Sequence, residues 1–265
     1  MKTKKLNHKT ILITGASSGL GKEIVKKLAS LEVTLVLVAR RKNRLEELKE
    51  ELKEQPAQIV IISRDLGSKS GPDEVYQEAK KLSLSIDILI NNAGFALSDE
   101  FMDFRQQEYI DMIDVNIKAV IKLIYLFLPD MQEKKSGAIL NVSSILGVLP
   151  FPDMAVYSGT KAFILTFSEA LWKELKKYNI SVTTLVSVGI ETEFFNKVKK
   201  DKFRYLPIQK PEKVAERALT ALTKKKRIAY TANRYALLMH SKRILPQRFI
   251  IWLADVFYNE KKNNK

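Results

Sequence analysis

A doubly wound α/β fold, a parallel sheet of about seven strands with helices on both faces, is predicted by three observations. Short apolar runs rich in β-branched residues recur along the chain. Helical stretches separate them, so neighbouring runs pair in parallel through crossovers. The first run leads straight into a glycine-rich segment, Thr14-Gly15-Ala16-Ser17-Ser18-Gly19-Leu20-Gly21, where a helix begins.

The strands are expected at Thr10–Thr14, Val33–Ala39, Gln58–Ile62, Ile86–Ile90, Ala138–Val142 and Ile180–Val186, with a short seventh at Arg227–Tyr230. Each of the first six is apolar on both faces, the pattern of a strand covered on both sides. Helices are expected between them at Gly21–Leu31, Lys42–Glu54, Asp73–Leu82, Gln106–Leu128 and Met154–Lys177. No composition break divides the first 230 residues, so residues 1–230 are read as a single domain. Residues 231–265 form an extension with two short helices, Tyr235–Leu245 and Pro246–Tyr258. In the second, Phe249, Ile250, Leu253, Val256 and Phe257 make an apolar stripe with Lys242, Arg243 and Arg248 nearby. Such a helix packs on the core, forms a subunit interface or lies in a membrane surface.

The chain has 265 residues, a net charge of +15, 46% hydrophobic residues and no cysteine. That composition excludes a disordered chain, disulfides, thiolate metal sites and a cysteine nucleophile. With His8 and His240 as the only histidines, a multi-histidine metal centre is not expected. No run of 18 apolar residues and no signal-peptide pattern occur, so a cytoplasmic protein is expected. Residues 197–265 carry 19 basic and 5 acidic side chains, against 26 and 25 in residues 1–196. The basic end is either a solvated surface or a contact for an anionic partner, including the surface of an anionic membrane. Nucleic acid is not expected, because interleaved aromatics and a reader motif are lacking.

The glycine segment has the residues and setting of a pyrophosphate cradle: backbone turning tightly against a helix N-terminus. Beyond the second strand an acidic side chain would select NAD(H) and an arginine NADP(H). Here the strand runs into Arg40-Arg41-Lys42 with no carboxylate. Arg40 is taken to meet the 2′-phosphate, with Ser17 or Ser18 donating to it, and NADP(H) is favoured over NAD(H). The alternative is that the three cations are solvated residues at a helix start.

Tyr-x-x-x-Lys occurs at Tyr76/Lys80, Tyr157/Lys161 and Tyr258/Lys262. Only Tyr157/Lys161 opens a helix directly after a strand ending in serines, at the sheet edge where doubly wound folds bind ligands.

On these motifs the chain resembles the short-chain dehydrogenase/reductase family over roughly residues 8–225. Thr14–Gly21 is similar to its TGxxxGxG, and Asn91-Asn92-Ala93-Gly94 to its NNAG. Asn116, Ser144, Tyr157 and Lys161 match its catalytic set. The resemblance implies a Rossmann-type oxidoreductase that interconverts a carbonyl and a secondary alcohol by hydride transfer. It implies Tyr157 as acid or base, Lys161 lowering the tyrosine pKa, Ser144 binding the substrate oxygen and Asn116 holding a relay water. Ser144 rather than Ser143 has the family's spacing of 13 residues to the tyrosine. Cofactor contacts implied in the same way are Gly15, Ser17, Ser18, Gly19, Leu20, Gly21, Arg40, Asp65, Leu66, Asn92, Ala93, Gly94, Tyr157, Lys161, Ile190 and Thr192. Val188 stands where the family usually has proline.

A mobile substrate lid is implied at about residues 190–210. Leu146, Val148, Leu149, Phe151 and Met154 form the facing wall, and the substrate is hydrophobic, acyl, lipid-like or steroid-like. A homodimer or homotetramer built on Gln106–Leu128 and Met154–Lys177 is also implied. The competing reading is a non-catalytic NADP-binding regulatory or membrane-associated module. The intact set of four catalytic residues speaks against it.

Overall fold

The computed structural model describes residues 2–193 and 208–232, together with Arg248. The expected Tyr235–Leu245 and Pro246–Tyr258 helices, and residues 194–207 of the expected lid, lie outside the described residues.

The strands are β1 (Thr10–Thr14), β2 (Thr34–Ala39), β3 (Gln58–Ser63), β4 (Ile88–Asn91), β5 (Gly137–Ser144), β6 (Ile180–Ser187), β7 (Gly189–Ile190), β8 (Ile208–Gln209) and β9 (Ile228–Tyr230). Among the described residues seven of them form one parallel sheet in the order β3-β2-β1-β4-β5-β6-β9. The helices are α1 (Gly19–Ala29), α2 (Lys42–Glu51), α3 (Gly71–Lys81), α4 (Gln106–Ile113), α5 (Ala119–Glu133), α6 (Ala155–Leu175) and α7 (Pro211–Thr223).

Side-chain alternation along the strands supplies two cores. Ile11 and Ile13 of β1 join Ile24 and Leu28 of α1, Leu45 and Leu48 of α2, and Leu219 of α7. Leu12, between them, joins Val75 of α3, Leu123 and Phe127 of α5, and Ile164 and Leu171 of α6. The strand residues are fully buried, which is why the run is apolar at every position rather than at every second one. The sheet order reverses at β1, which has β2 on one side and β4 on the other. This opens a crevice at the strands' C-terminal ends, where such folds bind ligands.

Two expectations change. Gln106–Leu128 is not one uniform helix: a π-helical turn at Asp114–Lys118 separates α4 from α5, and α5 runs on through Pro129. The wider turn carries Asn116, which is buried and tied to two other elements, and those bonds hold the local distortion. The short parallel pair β7/β8, with Gly189 opposite Ile208, was not expected. It joins the two ends of the segment between Glu193 and Ile208. Thr231 closes the same corner: its N–H donates to the Val186 carbonyl and its hydroxyl accepts from Val188 N–H.

Candidate active site

The crevice holds a cavity of about 350 Å³ running from the glycine segment to Tyr157. Its first wall is the β1–α1 turn. Gly15 has φ +67°, and a Cβ there would lie 2.9 Å from Asn92 Nδ2. Gly21 packs tighter still, since a Cβ would meet the Gly15 carbonyl oxygen at 2.3 Å and Asn92 Nδ2 at 2.7 Å. Asn92 holds the turn by donating from Nδ2 to the Thr14 carbonyl at 2.9 Å. Thr14 Oγ1 in turn accepts from the N–H groups of Asn92 and Ala93, both at 2.9 Å. Gly21→Ala is therefore expected to destabilise the protein by about 1–3 kcal/mol. An unchanged urea midpoint would contradict that packing.

The Ser18 side chain makes no cap bond to α1, and the first residues of that helix, Gly19 and Leu20, line the cavity. With glycine backbone in front of them, this is chemistry suited to a pyrophosphate. The cradle fits a dinucleotide.

At the other end of the cavity β5 delivers two serines with different tasks. Ser143 Oγ donates to the Lys161 carbonyl at 2.8 Å and so fastens α6 to the sheet. Ser144 lines the cavity, accepts from Leu146 N–H at 3.2 Å, and hydrogen-bonds the Tyr157 hydroxyl. Tyr157 and Lys161 lie one turn apart on α6, both buried. Lys161 Nζ donates to the Val142 carbonyl at 3.0 Å and sits 5.7 Å from the centre of the Tyr157 ring. Asn116 lies behind this wall. It donates to the Phe95 carbonyl at 3.0 Å and to Thr160 Oγ1 at 3.1 Å, and accepts from Phe95 N–H at 3.1 Å.

The electrostatics differ from the expected cation-stabilised phenolate. Burial pushes the Tyr157 hydroxyl well above the ordinary tyrosine range, and the Ser144 bond only partly offsets it. Burial also lowers Lys161 to about 8. Desolvation dominates at both, and each group is driven toward its neutral form. A phenol held protonated is a proton donor at neutral pH.

Of the expected cofactor contacts, Gly15, Ser17, Ser18, Gly19, Leu20, Arg40, Asp65, Leu66, Asn92, Ala93, Gly94, Tyr157, Lys161, Ile190 and Thr192 all line the cavity. Gly21 supports it from behind. Arg40, however, is 67% exposed and turned toward Asp65, at 3.8 Å. Its neighbour Arg41 reaches the glycine turn, donating from Nη2 to Ser18 Oγ at 2.7 Å and to Ser17 Oγ at 3.2 Å. Glu193 accepts from both Arg41 and Arg44. The sequence points to Arg40 and gives Arg41 no role beyond that of a solvated cation at a helix start, and none to Arg44 or Glu193. The signal available was the i, i+3 spacing of two arginines at the opening of α2. Nothing local pointed to Glu193.

A model of the short chain dehydrogenase family matches residues 9–202. The chain belongs to this family. As a family member it is an oxidoreductase built to bind a nicotinamide cofactor. It is 36% identical over 188 residues to an uncharacterised oxidoreductase of Staphylococcus epidermidis, covering 71% of this chain and 80% of that protein. Among solved structures it is similar to a short-chain dehydrogenase from Sphingobium yanoikuyae in complex with NADPH, with a TM-score of 0.80 and 28% identity over 89% of this chain and 94% of that one. It is also similar to the bulky-bulky ketone specific alcohol dehydrogenase from Comamonas testosteroni, with a TM-score of 0.77 and 29% identity over 89% and 93%. Among the described residues no cluster suits a metal ion, and no helix is long and apolar enough to cross a membrane.

Proposed function

We propose that the protein interconverts a hydrophobic carbonyl compound and its secondary alcohol with NADP(H). The observation that carries this reading is the bonded pair of hydroxyls, Ser144 and Tyr157, at the end of a cavity whose nearby walls are Phe95, Ala96, Leu146, Met154 and Val188. A carbonyl oxygen entering between the hydroxyls accepts from both. The bound cofactor supplies the hydride. Tyr157 gives its proton to the carbonyl oxygen and Ser144 stabilises the developing charge. Lys161 keeps α6 and β5 in register through the Val142 carbonyl and stands 5.7 Å from the Tyr157 ring centre as a group able to return its proton. Asn116 fixes the Phe95 backbone that lines the pocket.

Preference for NADP(H) is supported by the chain segment that follows β2, Arg40-Arg41-Lys42, which holds no carboxylate, and by Arg40 and Arg41 at the cavity rim. The NADPH complex of the Sphingobium protein and the ketone specificity of the Comamonas enzyme are in line with it. Titration calorimetry with NADPH and NADH tests it. Arg41→Ala is expected to weaken NADPH about tenfold or more, the loss of a charge-assisted bond, and to leave NADH within about twofold. Equal loss for both coenzymes would remove Arg41 from the 2′-phosphate site. Oxidation of NADPH by bulky apolar ketones then reads the substrate class.

A homo-oligomer and a lid over about residues 190–210 belong to the same reading, with residues 231–265 as an extension in contact with anionic membrane. Exposed Ile121 and Tyr125 on α5 and Phe163 on α6 support a subunit contact on those helices.

A further inference from the structure

Arg41, Arg44 and Glu193 form a unit. The Glu193 carboxylate accepts from Arg41 Nη1 at 2.9 Å on Oε2 and from Arg44 Nη1 on Oε1. Arg41 at the same time bonds Ser17 and Ser18, so the carboxylate sits against the rim of the pyrophosphate cradle. It lies just beyond the end of β2, where the adenosine ribose of a bound dinucleotide belongs. The position is built by the tertiary fold, because the acid and the arginines are about 150 residues apart in the chain. Glu191 N–H donates to the Gln209 carbonyl at 2.9 Å, which holds the β7/β8 corner just before Glu193.

We propose that Glu193 is an internal stand-in for the coenzyme's 2′-phosphate and sets the selectivity between the phosphorylated and unphosphorylated coenzymes. The proposal rests on the coenzyme-binding reading above. A carboxylate gripped by two guanidiniums presents the same fork-to-oxygen chemistry as a phosphate monoester. The side chains of Glu193, Arg41 and Arg44 are 47%, 41% and 38% exposed, so the pair is screened and open to exchange. A doubly charged phosphate takes the arginines from the singly charged carboxylate. A ribose with a free 2′-hydroxyl brings no charge to displace it and binds with Glu193 in place. The arginines hold the Glu193 carboxyl below its usual range, so it stays ionised and in competition at neutral pH. The acid thus narrows the preference that the arginines alone would impose.

The experiment is titration of the full chain and of Glu193→Gln with NADPH, NADH and adenosine 2′,5′-bisphosphate, the last reading the phosphate site without the nicotinamide. Glu193→Gln is expected to tighten NADPH and the bisphosphate roughly three- to tenfold, with NADH within about 1.5-fold. Glu193→Asp, which keeps the charge, is expected to fall between the two. Unchanged NADPH affinity in Glu193→Gln, or equal tightening of NADH, would overturn the proposal while leaving the dehydrogenase reading intact. Failure of the unaltered protein to bind any of the three ligands would remove the coenzyme reading and this proposal with it.

Discussion

Tyr157→Phe is expected to lower kcat by about 10²- to 10⁴-fold, the usual range for a positioned proton donor. The affinity for NADPH should stay within about twofold. The change is well isolated, since the ring packs among Met112, Ile145, Leu146, Met154 and Val188, and phenylalanine fills the same space. What disappears is the hydroxyl that bonds Ser144 and faces the cavity. Its high pKa makes the test sharper, because a phenol that does not ionise near neutrality serves the reduction direction as an acid and leaves the reverse reaction dependent on higher pH. Steady-state rates with NADPH and a bulky ketone, beside a thermal melt showing an intact fold, give the measurement. Full turnover in the variant would sink the assignment of Tyr157.

Lys161→Met is expected to abolish most turnover and also to change how stability depends on pH. Lys161 titrates near 8 in the folded protein, against 10.5 for an ordinary lysine. Below pH 8 both folded and unfolded chains carry the proton, and the folded state bears the full cost of the buried ammonium. Between about 8 and 10.5 the unfolded chain still holds a proton that the folded chain has released, so stability rises with pH. The shift corresponds to at most about 3 kcal/mol. Relative to Lys161→Met, which has no charge to bury, the unaltered protein should therefore gain up to that amount between pH 7 and pH 10. Loss of the bond to the Val142 carbonyl adds a penalty that does not depend on pH, so the slope isolates the charge. Urea unfolding of both proteins at the two pH values reads it. A difference that stays flat would mean that water reaches Nζ and the lysine titrates normally.

Both predictions concern residues that stand out in the chain, and that is no accident. Tyr157 and Ser144 are legible because one follows a strand and the other ends it, and strand ends on one edge of a parallel sheet converge whatever the surface does. The glycine turn is legible because close backbone approach admits no Cβ at Gly21. The strand at Thr10–Thr14 was expected to the residue, since an uninterrupted apolar run at the sheet centre leaves no other way to bury both faces. The π-turn at Asn116 was not legible, because it depends on bonds to Phe95 and Thr160, 21 and 44 residues away.

Arg40 shows the limit most clearly. Arg40 and Arg41 are adjacent just past the end of β2, and composition alone does not say which one faces the cradle. In the fold Arg41, at the N-cap of α2, bonds the serines of the β1–α1 turn, and Arg40 pairs with Asp65.

The sequence by itself determined the sheet, the cradle and the order of the proposed catalytic residues, because hydrophobic period and glycine placement are local properties that the backbone must obey. Only the tertiary structure decided which arginine meets the serines, that Glu193 comes to lie between two arginines, and that Tyr157 and Lys161 are driven toward neutrality. Those outcomes depend on distances between remote segments and on burial, which exist only once the sheet has closed over its helices.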